Sequence, residues 1–268
     1  MYFKEHLPDP ILRPFVQAYW AAEFNGQGES GHVQSVIPNG CIELIIHMTD
    51  DHCFLSREAS DRQTSPDYTL IGMYTQPYEV HFSSRVEVFG IRFFPEGISH
   101  IFGIPPSEFT STYEDSTDVF GKVMADFCEQ IRTTIAVKDQ LALADRFLLK
   151  QYEKNGKDFD YVQLAAEYIR TENGMLDQEQ LMTHVPISTR QLQRAFKDQF
   201  GITAKEYMRL ARMNAIQKYM HCPDVNFLDL AYDHGFADQA HFIREFRHYT
   251  GSAPRQFMKD RKRFIVNV

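Results

Sequence analysis

No apolar run in this 268-residue chain approaches the length needed to cross a bilayer. The opening Met1-Tyr-Phe-Lys-Glu-His6 lacks the basic start and apolar stretch of a secretory leader. Residence in the cytoplasm with no membrane partner is therefore expected. Cysteine is scarce and scattered: Cys41, Cys53, Cys128 and Cys222 form no C-x-x-C pair, which favours free or buried thiols over a zinc site. His-x-His, the close spacing of metal-binding β-barrels, is also missing. Positive charge is in deficit, with 28 Lys and Arg against 36 Asp and Glu and a net charge of −8. That sum looks wrong for a nucleic-acid binder, but it is unevenly spread. Up to Phe159 there are 13 basic and 23 acidic residues; beyond it there are 15 and 13. The local field matters more than the total. Hydrophobic residues make up 43% of the chain, enough for two modest cores.

What the chain has is one pattern written twice. Ser188-Thr-Arg-Gln-Leu-Gln-Arg-Ala-Phe196 recurs roughly fifty residues on as Asp238-Gln-Ala-His-Phe-Ile-Arg-Glu-Phe246, in the range of periods where repeats are sought. Leu192 pairs with Phe242, Arg194 with Arg244, Phe196 with Phe246, Gly201 with Gly251 and Tyr207 with Phe257. Upstream the register slips by one, Leu181 matching Leu230 and Ile187 matching Phe236, so the intervening turns differ by one residue. Each copy reads as short helix, turn, second helix. Asp177 and Ser188 stand three before Gln180 and Gln191, the spacing of a capping box; Asn226 and Asp238 offer the same oxygen in the second copy. Gly235 lies where a sharp turn needs positive φ.

At about 3.6 residues per turn, each second helix has two faces. In the first, Leu192, Phe196 and Gln199 lie inward while Arg190, Gln193, Arg194 and Lys197 lie outward. In the second, Phe242 and Phe246 point inward and Ala240, Ile243, Arg244 and Arg247 outward. Arg can donate two bonds to guanine and Gln can pair with adenine. One such helix alone would be read as a solvated amphipathic face. Two copies with matched caps, turns and arginines point to DNA. Between them, Thr203-Ala-Lys-Glu206 opens a helical pattern through Tyr207, Leu210, Ala211, Ile216 and Met220, stopped by Pro223. Some eighteen residues make roughly 27 Å of rod. That length suits a spacer between recognition helices in major-groove turns about 34 Å apart, and equally a helix that completes a bundle.

These residues carry a resemblance. Leu230-Ala-Tyr-Asp-His-Gly-Phe236, then Asp238, Phe242, Arg244, Phe246, Gly251-Ser-Ala-Pro254 and Phe257, together with Leu181, Ser188, Leu192, Arg194, Phe196, Gly201 and Tyr207, resemble the DNA-binding domain of AraC/XylS-type transcription regulators. The resemblance covers roughly the last 110 residues and implies two helix-turn-helix units joined by a long helix. Met182 departs from the family's usual small Ala, and Pro186 stands at a turn position often held by Gly. By motif position, the resemblance implies DNA contacts from Arg190, Gln193 and Arg194 in the first unit, with Lys197 beside them, and from Gln239, Ala240, His241 and Arg244 in the second. It implies double-stranded promoter DNA as partner, with no catalytic residue, metal or cofactor. RNA polymerase, a small-molecule effector and a second copy of the chain are open as further partners. The scattered cysteines disfavour a methyl-accepting DNA-repair module, which carries a clustered metal-bound set. The cluster Arg255, Lys259, Arg261, Lys262, Arg263 offers phosphate contacts or is a solvated tail.

The preceding half reads as β structure. Leu12 to Phe24 is an aromatic-rich strand after a short opening helix, with Gly26, Gly28 and Gly31 loosening the chain beyond it; Cys41–His47, Tyr68–Met73, Glu79–Phe82 and Val86–Phe94 are further short strands. The expected fold class is α+β: a cupin-like small β-barrel with flanking helices over 1–152, a linker over 153–159, and an all-α double helix-turn-helix domain over 160–268. Pro38-Asn-Gly-Cys-Ile-Glu-Leu44, Gly90-Ile-Arg-Phe-Phe-Pro-Glu-Gly97 and Phe102-Gly-Ile-Pro105 resemble the N-terminal domain of a subset of the same regulators, which implies a sensory or dimerising role. Helical spacing over Asp118–Arg132 and Asp139–Tyr152 supplies a pair to cover the barrel or form a dimer interface. Tyr161, Leu164, Ala165, Tyr168 and Ile169 open the DNA module, and Asn173-Gly174 ends that helix.

Two readings of the barrel compete. Trp20, Glu43, Tyr74, Arg92 and Phe94 would line a ligand pocket in which Arg92 recognises a carboxylate or phosphate; otherwise the aromatics are plain core and Arg92 is paired internally. Glu43 and His47 face the same way along a strand, and His81 would join them in a metal-dependent enzyme, the rival to the regulator. A third reading has the helices contacting protein instead of DNA.

Overall fold

The structure is a computed structural model and describes residues 2–26, 32–56, 61–156, 160–222 and 224–265. By their contacts the described residues fall into two compact units, one drawn from 1–33, 41–73 and 79–158, the other from 34–40, 74–78 and 159–268.

The first unit is rich in strands. These are β1 (Tyr2–His6), β2 (Val16–Asn25), the start of β3 (His32–Val36), β4 (Ile42–His47), β5 (Cys53–Ser56), β6 (Gln63–Thr64), β7 (Tyr68–Ile71), most of β8 (Tyr78–Phe82), β9 (Arg85–Phe93) and β10 (Tyr113–Asp115). An antiparallel sheet runs in the order β1-β2-β9-β4-β7-β10, and β5 pairs antiparallel with β6 and β8 in a second sheet. Strand β9 is buried at every position from Val88 to Phe93, so the middle of the larger sheet is covered on both faces, whereas β4 alternates buried and half-buried residues from Ile42 to Ile45. Leu44 opposes Ile91, and Ile46 opposes Phe89, on a face packed by helices α1 (Pro95–Phe102), α3 (Lys122–Thr133) and α4 (Val137–Asn155), after the short α2 (Ser116–Phe120). Phe127 of α3 stacks on Phe147 of α4 at 4.0 Å, and the Tyr19 hydroxyl donates to Asp145 of α4 at 2.8 Å. Burying each such Leu, Ile or Phe contributes about 1.5–3 kcal/mol.

Four expectations change here. The sheets are not a closed barrel: β1 and β10 are the edges of the larger one, and no strand pairs them among the described residues. The chain opens on β1 rather than a helix, because Phe3 and Glu5 pair with Ala22 and Trp20 across β2; only hydrogen-bonded turns precede Val16. The helix expected over 118–132 is interrupted at Gly121, whose φ of 72° and ψ of −163° separate α2 from α3. Helix α4 continues to Asn155, into the stretch expected as linker, while 157–159, like Gly28 and Gly31, lie outside the described residues.

The second unit is helical: α5 (Tyr161–Thr171), α6 (Gln178–Met182), α7 (Thr189–Phe200), α8 (Ala204–Gln217), α9 (Phe227–Asp233), α10 (Gln239–Thr250) and α11 (Pro254–Lys259), with the two-residue β11 (Phe264–Ile265) in parallel register with Ser35 and Val36 of β3. Asp160 caps α5 in a box with Gln163, and the helix ends through Asn173 and Gly174, at φ 53° and 66°. At Gly174 glycine is required twice over, since a Cβ there would lie 2.0 Å from the Met208 carbonyl oxygen. That closeness lets Arg212 of α8 donate to the Gly174 carbonyl through Nε at 3.3 Å and Nη2 at 2.9 Å. Helix α8 begins at a capping box of Thr203 and Glu206, and its final turn tightens to a 3-10 turn over Lys218–His221. Pro223, the expected stop, lies outside the described residues.

Candidate nucleic-acid interface

Each copy of the repeat folds as a short helix, a turn and a longer capped helix. In the first, Asp177 accepts the Gln180 amide at 2.7 Å to start α6, and Ser188 starts α7 with a reciprocal box to Gln191. In the second, Asn226 accepts the Leu228 amide at 3.0 Å and Asp238 the His241 amide at 2.6 Å. Both longer helices span twelve residues and end on a left-handed glycine, Gly201 and Gly251. The inward faces match: Leu192 and Phe196 are fully buried in one, Phe242 and Phe246 in the other. Phe196 meets Tyr207 at 6.1 Å, and Phe246 meets Phe257 at 5.3 Å, so the aromatic partner also repeats.

The turns differ. Gly235 carries φ 69° between α9 and α10, while the turn after α6 uses side chains: Thr183 Oγ1 donates to the Gln180 carbonyl at 2.7 Å, and the Ile187 amide donates to Val185 at 2.9 Å around exposed Pro186. Half-buried Met182 ends α6, and the Tyr168 ring meets that of His184 at 3.8 Å, tilted by 30°. The extra residue of the second copy is Ala237, exposed just before the Asp238 cap, which accounts for the one-residue slip.

With these faces buried, the outward edges present charge. Arg190, Arg194 and Lys197 are exposed on α7 and Gln193 is half-buried; on α10, Ala240 and Arg244 are exposed while Gln239 and His241 are half-buried. Arg194, with 85% of its side chain exposed, lies 3.6 Å from Asp198 one turn on, a pairing worth at most a few tenths of a kcal/mol in water, roughly 0.3–0.5. Lys197 differs from its neighbours, since its Nζ donates to the Gly201 carbonyl at 2.6 Å and neutralises the carboxyl end of α7. The His241 ring sits edge-on to Phe236 at 5.3 Å, which accounts for its partial burial. Arg255, Lys259 and Arg263 are exposed, and the Lys262 side chain lies outside the described residues.

The ligand candidates of the first half do not gather into one open site. Trp20, Glu43 and Arg92 do share a sheet face: Trp20 opposes Gly90 and Glu43 opposes Arg92, and the indole occupies the space a side chain at position 90 would fill. Arg92 is almost wholly buried and donates to Glu43 at 2.8 Å and to Glu5 at 2.6 Å. Burial works against its charge, but the Glu43 carboxylate beside it more than compensates and holds the guanidinium protonated. This is the internal pairing named as the plainer alternative. Phe94 has left the strand to cap α1, and Tyr74 belongs to the other compact unit, its ring 4.7 Å from that of Tyr78 and tilted by 38°. Glu43, His47 and His81 do not converge as metal ligands either. His47 bonds Ser65 at 2.9 Å, with burial, ahead of the nearby His52 charge, lowering its pKa to about 4; His81 meets Ser56 at 3.1 Å. Among the described residues no group of three His, Cys, Asp or Glu could hold a metal ion.

Sequence reasoning passed over three cations on α8. Lys205, Arg209 and Arg212 fall at i, i+4 and i+7 and share one edge of the connecting helix, a spacing that was there to be read.

Known proteins share this arrangement. Residues 181–260 match the family described as helix-turn-helix domain, and residues 4–115 match a domain of unknown function (DUF6597). Probable transcription factor PqrA of Proteus vulgaris is 38% identical over 69 residues, covering 26% of this chain and 57% of that protein. The Msm operon regulatory protein of Streptococcus mutans is 26% identical over 121 residues, 44% of each. The chain thus spans about half the length of these curated relatives. In fold, it is similar to ToxT of Vibrio cholerae bound to (E)-4-(8-methylnaphthalen-1-yl)but-3-enoic acid, with a TM-score of 0.51 at 12% identity over 97% of this chain and 99% of that one. It is also similar to ToxT with bound unsaturated fatty acid, with a TM-score of 0.50 at 11% identity over 89% and 94%. No described helix is long and apolar enough to cross a membrane. Two capped helix-turn-helix units joined by a connecting helix, over residues 181–260 that match the helix-turn-helix family, give this part of the chain the form of an AraC-type helix-turn-helix domain.

Proposed function

We propose that the chain is a sequence-specific transcription regulator that binds double-stranded promoter DNA through both helix-turn-helix units. The observation that carries this reading is the repetition: α7 and α10 each bury one aromatic face against the same kind of partner and leave an arginine-bearing edge in solvent. Arg190, Gln193 and Arg194 of α7, and Gln239, Ala240, His241 and Arg244 of α10, are the side chains assigned to base edges and adjacent phosphates. Lys197, tied to the end of its helix, serves the phosphate backbone. Along the sequence the sensory domain is assigned to 1–152 and the DNA-binding domain to 160–268, although 34–40 and 74–78 group with the helical unit and α4 runs on to Asn155. The regulator works in the cytoplasm and catalyses no reaction; RNA polymerase and a second copy of the chain are its protein partners. Control through the N-terminal domain by a small molecule is supported by the fold shared with ToxT, which has been solved with a butenoic acid derivative and with an unsaturated fatty acid bound.

The test is selection of bound genomic fragments, followed by titration of one selected site and of random DNA at several salt concentrations. The regulator reading expects a selected sequence bound about a thousand-fold or more above random DNA, and a logarithmic affinity that falls linearly with the logarithm of salt. Absence of any salt-dependent binding to duplex DNA overturns it.

A further inference from the structure

The three cations of α8 open onto a cavity of which the DNA-binding reading uses only His241. It measures about 290 Å³ and lies wholly within the helical unit, between α8 and the start of α10. That is roughly the volume of ten waters in the liquid, at about 30 Å³ each. Its floor is apolar and buried: Met208 and Met213 of α8, Phe236 of the turn before α10, and Leu176. Its rim is cationic, from Lys205, Arg209 and Arg212, with one carboxylate, Glu245, 3.7 Å from Arg209. Arg212 is fixed by its bonds to Gly174 and lies over the Phe236 ring at 5.5 Å. Its pKa is lowered, first by burial and further by the Arg209 charge, although Glu245 opposes this.

A phosphate of the DNA backbone would be served by the rim alone and has no use for a floor of two methionines, a leucine and a phenylalanine. An apolar floor beneath three cations and one carboxylate fits a molecule with a compact apolar body and a single negative charge. Methionines adapt their shape to such a body. His241 and Glu245 line the same cavity from α10, the helix that also carries Ala240 and Arg244. We propose that this cavity binds an amphipathic organic acid, its carboxylate on Lys205 and Arg209 and its apolar part on Met208, Met213 and Phe236, and that occupancy weakens DNA binding by α10. The acid adds negative charge beside the edge that meets phosphate, so the two ligands oppose each other, and by linkage DNA weakens the acid to the same degree.

The test uses the full chain, labelled at the methionine methyl groups, titrated without DNA with 4-phenylbutyrate, octanoate and 2-naphthoate, and with 4-phenylbutyramide as the uncharged control. At least one acid is expected to saturate and to move the Met208 and Met213 methyl signals, with the amide binding about ten-fold more weakly. Lys205→Met combined with Arg209→Met is expected to lose about ten-fold or more in acid affinity. Both side chains are exposed, so its unfolding midpoint is expected to stay near that of the parent chain. If the double variant does not fold, the methyl signals of the parent chain decide. Saturating acid is expected to weaken binding to the selected DNA site about five-fold or more. The proposal is overturned if none of the acids binds, if binding leaves the Met208 and Met213 signals in place, if the double variant binds acid as tightly as the parent chain, or if saturating acid leaves DNA affinity unchanged. The acid titration is made without DNA, so a chain that bound acid here but no DNA would sink the regulator reading and leave the site itself standing.

Discussion

The two helix-turn-helix copies reach one shape by different local means. The first closes its turn with Thr183 and a tight bend around Pro186, caps α7 with a serine box and carries Arg190, Arg194 and Lys197 outward. The second closes on a left-handed Gly235, caps α10 with an aspartate and offers Gln239, Ala240, His241 and Arg244, one permanent cation among four. What is common is the buried aromatic pair behind each recognition helix. Apart from the matched Arg194 and Arg244, what differs is most of what water or DNA would touch. Packing therefore defines the unit, while caps and turns are interchangeable solutions to the same unsatisfied amides. The uneven charge also suggests a division of labour in which α7 supplies more of the salt-sensitive attraction and α10 more of the discrimination.

Four measurements sharpen or break that comparison. The largest effect is expected in the matched cores: Phe196→Ala and Phe246→Ala should each cost about 3–5 kcal/mol in chemical denaturation, and losses differing by more than a factor of two would show the copies to be energetically unlike. Next come the exposed arginines. Arg194→Ala and Arg244→Ala should each weaken the selected DNA site by about 1–3 kcal/mol and relax preference at one base pair; equal losses on specific and random DNA would assign them to phosphate. Gly235→Ala has open space around its Cβ, so its cost is backbone strain alone, about 1–2 kcal/mol, measured by thermal unfolding. A neutral result would mean that the turn of the second copy relaxes towards the form of the first. Smallest are the caps: Ser188→Ala and Asp238→Ala should each lose about 1 kcal/mol, with Asp238 the costlier because its bond is charge-assisted. The reverse order would credit the reciprocal box of Ser188 and Gln191 with more than its geometry suggests.

The helical half was legible because its signals are local. Caps at Ser188 and Asp238, a left-handed Gly235 and apolar spacing at Leu192 and Phe196 each lie within a few residues of what they control. The sheet half was legible in its long strands, and poorly legible at its margins. Strand β1 was missed because Tyr2-Phe-Lys-Glu-His6 alternates weakly, with its burial set by pairing with β2. Closure into a barrel depends on strands far apart in the chain meeting edge to edge, which short-range pattern does not report. Arg92 could not be decided from sequence, since the carboxylates that hold it, Glu5 and Glu43, arrive from 87 and 49 residues away. The α8 cations are the opposite case, because their spacing was readable and only the cavity beneath them gave it meaning.

Gly174 has a bearing on how such a protein could diversify. Its carbonyl receives two bonds from Arg212, and its α-carbon has no room for even a methyl group against Met208. The joint between α5 and α8 is thus a weld, and a substitution there is not absorbed by tilting one helix. New target sequences would have to be acquired by exchanging side chains on the exposed edges of α7 and α10, with the frame beneath them held constant.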